Sequence, residues 1–201
     1  TQIASTSFVL LGSPTLPAAG LQDLVAHAKA NPGKLNVAHV GTTTLGYLMT
    51  LQLASLTGIE LQPIQYKGSA QVYPDLIGGQ IQLFLDNPGA STPLVAAGKL
   101  KAFGVTTPTP SMPGVPRFVE AGIKGYEEDF WYGLVAPAGT PRAIIDRIQK
   151  AVAAHVQSEE GRKEYAARSL VPLGNTPEEF AAAIKTEMET FRALAARLIK
   201  Q

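Results

Sequence analysis

Apolar positions along this chain recur with two periods that alternate, one near two residues and one near three and a half. Ser7 to Leu11 reads as a strand closed by Gly12 and Pro14. Leu21, Leu24, Val25 and Ala28 then fall at i, i+3, i+4 and i+7, a helix stripe that Asn31-Pro32-Gly33 stops. Leu35 to Val40 predicts a strand, Thr44 to Leu56 a buried helix ended by Gly58, and Leu61 to Tyr66 another strand. Val72, Tyr73, Leu76 and Ile77 return to the helical period, with Gly78-Gly79 as the stop. Pro74 inside that run counts against the helix unless it starts near Tyr73. Ile81, Leu83 and Leu85 alternate in a strand from Gln80 to Asp86, followed by a short helix over Thr92–Ala97 and a strand over Leu100–Thr106.

A loop with four prolines spans residues 107–116. Phe130 to Ala136 is the next strand. Thr140 is placed as N-cap and Pro141 as first residue of a helix striped by Ile145, Ile148, Val152 and Val156. Thr176-Pro177-Glu178-Glu179 is a capping box. The helix after it, with Phe180, Ile184, Met188, Phe191, Leu194 and Leu198, is expected to run to the end of the chain. Strands alternating with helices imply βαβ units, hence an α/β fold with mostly parallel sheets.

Composition narrows the function more than it names it. Lys+Arg 17 against Asp+Glu 16 leaves a net charge of +1, so no bulk field favours nucleic acid or an anionic membrane. No arginine precedes Arg117. Zero cysteines exclude thiol catalysis, thiolate metal sites and disulfides. His27, His39 and His155 are too scattered to predict a metal cluster, and no cofactor motif occurs. Residues 1–100 carry four lysines and four carboxylates, whereas residues 141–201 carry ten Lys/Arg and eight Asp/Glu. The front therefore reads as a covered strand-rich core and the back as amphipathic surface helices. Thr1-Gln2-Ile3-Ala4-Ser5 lacks the basic region that opens a signal peptide.

Ligands of open parallel sheets bind beyond the carboxyl ends of the strands. Three such junctions qualify: Gly41-Thr42-Thr43-Thr44, Lys67-Gly68-Ser69-Ala70, and Asp86-Asn87-Pro88-Gly89. The first two join glycine, hydroxyls and a helix start, a combination that suits an anion. The same residues also read as caps: Thr42, Thr43, Thr44 and Ser69 for helix starts, and Asp86 for the helix after it. Lys67 reads as solvated, and Trp131 and Tyr132 as core aromatics.

Several runs carry a resemblance. Ala28-Lys29-Ala30-Asn31-Pro32-Gly33-Lys34-Leu35-Asn36, Tyr66-Lys67-Gly68-Ser69-Ala70 and Asp75-Leu76-Ile77-Gly78-Gly79-Gln80 resemble the tripartite tricarboxylate transporter solute receptors, the Bug or TctC-like family. Asp86-Asn87, Gly98-Lys99-Leu100, Pro113-Gly114-Val115-Pro116, Glu120-Ala121-Gly122, Trp131 to Pro141 and Thr176 to Phe180 continue the match in order. The resemblance implies a periplasmic-binding-protein-like receptor of two lobes that closes on a small carboxylate and delivers it to a membrane permease. It implies a crossing strand of domain 1 at residues 1–11, a continuous domain 2 at 12–124, and the carboxyl-terminal part of domain 1 at 125–201. The matching ligand-binding positions are Gly41, Thr42, Thr43, Thr44, Gly68, Ser69, Ala70 and Asp86.

Two departures from the family pattern shape the expectations. Tyr47 stands where the family loop usually has histidine, and Thr43 where it has a second glycine. Roughly the first third of a family chain, with its domain-1 loop for the ligand's proximal carboxylate, does not precede Thr1. Domain 1 is then incomplete, and its uncovered apolar faces predict self-association. The leading expectation is a non-enzymatic, exported carboxylate receptor without cofactor or metal. Its rivals are a small α/β enzyme with Asp86 as base and the threonine loop as anion holder, and a fragment that binds nothing.

Overall fold

The computed structural model describes residues 1–198. The expected continuation of the last helix falls, for residues 199–201, outside the described residues, as does the side chain of Leu198. The chain divides into two compact units, Ser7–Asp129, and Thr1–Thr6 with the stretch from Phe130 onward.

In chain order β1 (Gln2–Thr6) comes first and belongs to the smaller unit. The larger unit holds β2 (Val9–Gly12), α1 (Leu21–Ala30), β3 (Leu35–His39), α2 (Leu45–Thr57) and β4 (Leu61–Gln65), then α3 (Ser69–Ile77), β5 (Leu83–Asp86), α4 (Pro88–Ala96) and β6 (Lys101–Val105). Its sheet has the order β4-β3-β5-β2-β6. β3 pairs in parallel with β4 and β5, while β2 runs antiparallel between β5 and β6. The mostly parallel expectation therefore holds for the β3-α2-β4-α3-β5 crossovers and is corrected at β2. Helix–strand alternation signals parallel crossovers, and β2 follows another strand with no helix between them.

All four residues of β2 are buried, because it is central and covered on both faces. Val72 and Leu76 of α3 pack with Val9, Leu11, Ala38 and Phe84 on one face. Each such side chain, fully buried, contributes about 1.5–3 kcal/mol. On the other face α2 lies close: a side chain at Gly46 would sit 3.4 Å from the Leu85 carbonyl oxygen and 3.7 Å from the Phe8 ring. α3 begins at Ser69, about one turn before the start near Tyr73 that would have accommodated Pro74. The helical bond that Pro74 forgoes would reach Ala70, an exposed residue in the first turn of the helix, where the loss costs least.

The smaller unit sets β1 between β7 (Phe130–Gly133) and β8 (Val171–Pro172), antiparallel to both. α5 (Arg142–Gln157), α6 (Glu159–Ala167) and α7 (Pro177–Leu198) complete it. Pro141, not Thr140, occupies the cap of α5; the Thr140 hydroxyl donates to the Pro137 carbonyl at 2.8 Å. The capping box of α7 forms as expected, with Thr176 N–H donating to Glu179 at 2.8 Å and Glu179 N–H to Thr176 Oγ1 at 3.2 Å. Trp131 and Tyr132 are not core: Trp131 is half-buried and donates to Glu187, and Tyr132 is exposed. Leu134, Val135, Ile145, Ile148, Phe180 and Ile184 line an open groove of about 490 Å³.

The expected crossing strand over 1–11 is two strands in different units, with the division after Thr6. β1 carried no hydrophobic contrast, since its inward positions are Gln2, Ala4 and Thr6. The second division falls after Asp129 and not after Lys124. Asp129 accepts from the Thr106 and Thr107 hydroxyls at 3.3 and 2.6 Å, which ties it to the larger unit.

Candidate functional site

Three parallel strands side by side, β4, β3 and β5, deliver their following loops to one edge of the larger sheet. The three junctions singled out in the sequence are these loops. Two contacts join them. Tyr66 N–H donates to the His39 carbonyl at 2.9 Å, tying the end of β4 to that of β3. The Tyr73 hydroxyl donates to the Asp86 carboxylate at 3.0 Å, tying α3 to the end of β5.

At the first junction the capping reading holds for one threonine only. Thr44 Oγ1 donates to the Gly41 carbonyl at 2.8 Å and accepts from Tyr47 N–H at 3.4 Å, so its hydroxyl is spent on the start of α2. Thr42 and Thr43 are exposed, and no partner takes their hydroxyls among the described residues. Gly41 has φ 146, a region that side chains rarely adopt, and its N–H donates to His39 Nδ1 at 3.3 Å. That bond leaves Nδ1 as an acceptor and places any ring proton on Nε2.

At the second junction Gly68 caps α3 with no side-chain hydrogen bond. Ser69 and Ala70 N–H groups therefore stand without partners at a helix start, where the dipole favours an anion. Tyr66 locks this helix to the strand before it by donating to Asp75 Oδ2 at 2.7 Å. Burial first, and then the Asp75 carboxylate, push the Tyr66 phenol up to about 12. Lys67 is exposed, as expected of a solvated residue.

Asp86 closes the third junction. Its Oδ1 accepts from Asn87 N–H at 2.9 Å and its Oδ2 from the Tyr73 hydroxyl at 3.0 Å. Burial pushes the Asp86 carboxyl above its ordinary value against the pull of those donors. Tyr73 is raised as well, by burial and then by the Asp86 charge. Asp86 thus orders the Tyr73 hydroxyl, and Tyr73 joins the candidate site although its period in the sequence places it only in a helix stripe. Its spacing offered a clue, because Ser69 and Tyr73 stand four apart and share one helix face.

Alternation along the strands sorts these groups onto two faces. Asp86 shares the face of Phe84 and α3, whereas His39 follows Ala38 and points to the α2 face. There its ring lies 4.4 Å from that of Tyr47, in the first turn of α2. The edge can hold an anion on unpaired N–H groups and hydroxyls. Among the described residues neither histidine nor a second carboxylate bonds Asp86, whose hydrogen-bond partners are Tyr73 and Asn87. Arg117, the first arginine in the sequence, is paired with Glu120 at 2.8 Å on the surface.

Comparison with known proteins now has a geometry to meet. The family described as tripartite tricarboxylate transporter family receptor matches residues 1–196. A Pseudomonas sp. protein encoded between tcbD and tcbE is 30% identical over 177 residues, covering 87% of this chain and 53% of its own length. BugT of Bordetella pertussis is 28% identical, covering 93% and 58%. The chain thus spans between half and two thirds of these relatives. Among solved structures, an R. palustris protein with adipate superposes with a TM-score of 0.90 at 31% identity, over 98% of this chain and 67% of that one. The periplasmic binding protein BugD gives 0.88 at 27%, over the same shares.

Proposed function

The chain belongs to the tripartite tricarboxylate transporter receptor family, and from that premise we propose that it captures a small carboxylate at the β3-β4-β5 edge for a permease of that transporter class. The observation that carries this reading is the open start of α3, where Ser69 and Ala70 N–H groups lack partners beside an ordered set of hydroxyls. Thr42 and Thr43 would add neutral donors from the neighbouring loop, with Gly41 and Gly68 leaving room for the ligand to approach the backbone. Such a site holds an anion without arginine, at a smaller energy per contact than a bidentate guanidinium. The adipate-bound relative supports a carboxylate as ligand. The periplasm as location, the permease as partner and the split of domain 1 around domain 2 belong to the same proposal.

Ser69→Pro tests it. Proline suits the first helical position, and Gly68 before it is already extended at φ 178 and ψ 158. The variant removes one N–H and the hydroxyl, while Ser69→Ala removes the hydroxyl alone. Thermal shift against mono- and dicarboxylates should show stabilisation of the unsubstituted chain, less for Ser69→Ala and least for Ser69→Pro. Equal stabilisation of all three chains would remove α3 from the site. The open groove of the smaller unit supports self-association of this chain, which light scattering tests by mass; a monomer would refute it.

A further inference from the structure

The α2 face of the same edge carries a feature that anion capture alone does not use. Tyr47 is half-buried, its ring is backed by the buried His39 ring at 4.4 Å and 41°, and its hydroxyl has no partner among the described residues. His39 is itself held, since its Nδ1 accepts from Gly41 N–H. The pair is therefore an aromatic wall, one ring braced by another, in the first turn of α2 that follows the Thr42–Thr43 loop. Braced rings cost little further entropy when a ligand packs on them, and offset or edge-on contact with another ring is worth about 0.5–1.5 kcal/mol beyond the area buried.

The charges at the edge decide what kind of carboxylate would use this wall. A second carboxylate on the ligand needs a second set of donors or a cation. Lys67, at the start of the second junction, is exposed and reads as solvated. Arg117 is committed to Glu120. On the α3 face the Tyr73 hydroxyl and Asn87 N–H are spent on Asp86 and are not open to a second anionic group. One anion cradle, one acidic neighbour and one aromatic wall together fit a ligand with a single carboxylate and a flat apolar body.

We propose that Tyr47, backed by His39, is the specificity-determining residue of this edge and selects aromatic monocarboxylates over short hydroxy-dicarboxylates. The proposal rests on the carboxylate-receptor reading above and goes beyond it in naming the ligand class. Tyr47→Phe keeps the wall and loses only the free hydroxyl; Tyr47→Ala removes the wall.

Calorimetric titration of the chain and both variants with benzoate and with malate separates the possibilities. The unsubstituted chain should bind benzoate more tightly than malate. Tyr47→Ala should lose up to roughly tenfold for benzoate, with malate changed less than twofold and Tyr47→Phe close to the parent. Tighter binding of malate by the parent, or an equal loss of both ligands in Tyr47→Ala, would overturn the assignment of Tyr47 and leave the receptor reading standing. Failure of the parent to bind either acid would overturn the receptor reading itself, and the assignment with it.

Discussion

Tyr126 offers a measurable link between the packing of the larger unit and the position of α2, which carries the threonine loop. Its side chain is fully buried, its hydroxyl donates to the Met49 carbonyl of α2 at 2.9 Å, and its ring meets Phe118 edge-on at 4.5 Å. Beside it the Gln52 amide donates to the Gly125 carbonyl at 2.7 Å, so the segment from Phe118 to Tyr126 straps α2 at two points. Tyr126→Phe deletes one hydrogen bond and keeps the ring. The Met49 carbonyl sits inside a helix and retains its own helical partner, so the cost should be about 1 kcal/mol. Tyr126→Ala also removes the ring and leaves a cavity against Phe118, for which about 3–5 kcal/mol is expected. Urea unfolding followed by circular dichroism resolves the two, because a slope of about 1–3 kcal/mol/M turns 1 kcal/mol into a midpoint shift of about 0.3–1 M. If the Phe variant falls as far as the Ala variant, the hydroxyl and not the ring holds the strap, and the packing argument fails.

Three further outcomes follow from individual contacts. Because burial raises the Asp86 carboxyl above its ordinary 3.8, the folded chain holds that proton more tightly than the unfolded one. The stability it contributes is then complete below about 3.8 and lost as pH rises through the folded value, and Asp86→Asn should flatten that part of a stability profile recorded between about pH 4 and 7; an unchanged slope would assign it to other groups. Thr44→Ala should cost about 1 kcal/mol through the lost cap while Thr42→Ala costs almost nothing, and equal effects in thermal unfolding would contradict the division of labour in that loop. Ser169 is held at φ 60, so Ser169→Gly should stabilise by up to about 1 kcal/mol and Ser169→Val should destabilise, both read as melting temperature.

Much of the larger unit was legible from periodicity because its strands and helices alternate and end on glycine or proline. β3, α2 and β5 fall within a few residues of their expected limits. What escaped did so for definite reasons. β1 turns Gln2 and Thr6 inward and Ile3 outward, reversing the contrast that reveals a strand. α6 is Glu-Glu-Gly-Arg-Lys-Glu-rich and has no apolar stripe; its evidence was the Ser158 cap, which accepts from Gly161 N–H at 3.0 Å. α4 starts at Pro88, four residues before its expected start, and the proline in first position was the unused signal. At the site the three junctions were legible as strand ends. Which hydroxyls are spent was not, because that depends on rotamers: Thr44 turns back to Gly41 while its two neighbours stay free.

The arrangement also explains why an acidic residue sits beside a place for anions. Two donors, Asn87 N–H and the Tyr73 hydroxyl, converge on Asp86, so its charge is answered locally before any ligand arrives. The Ser69 and Ala70 N–H groups remain, among the described residues, the open donors of the α3 start. A lysine in place of Asp86 would attract an anion more strongly, but it would release the Tyr73 hydroxyl and bury an unpaired ammonium. The edge therefore trades attraction for order: donors held in place bind a small ligand with less entropy lost than a single mobile charge does. In the proposed receptor, selectivity would be set by the groups that remain unspent among the described residues: the backbone at Ser69 and Ala70, the hydroxyls of Thr42 and Thr43, and the ring of Tyr47.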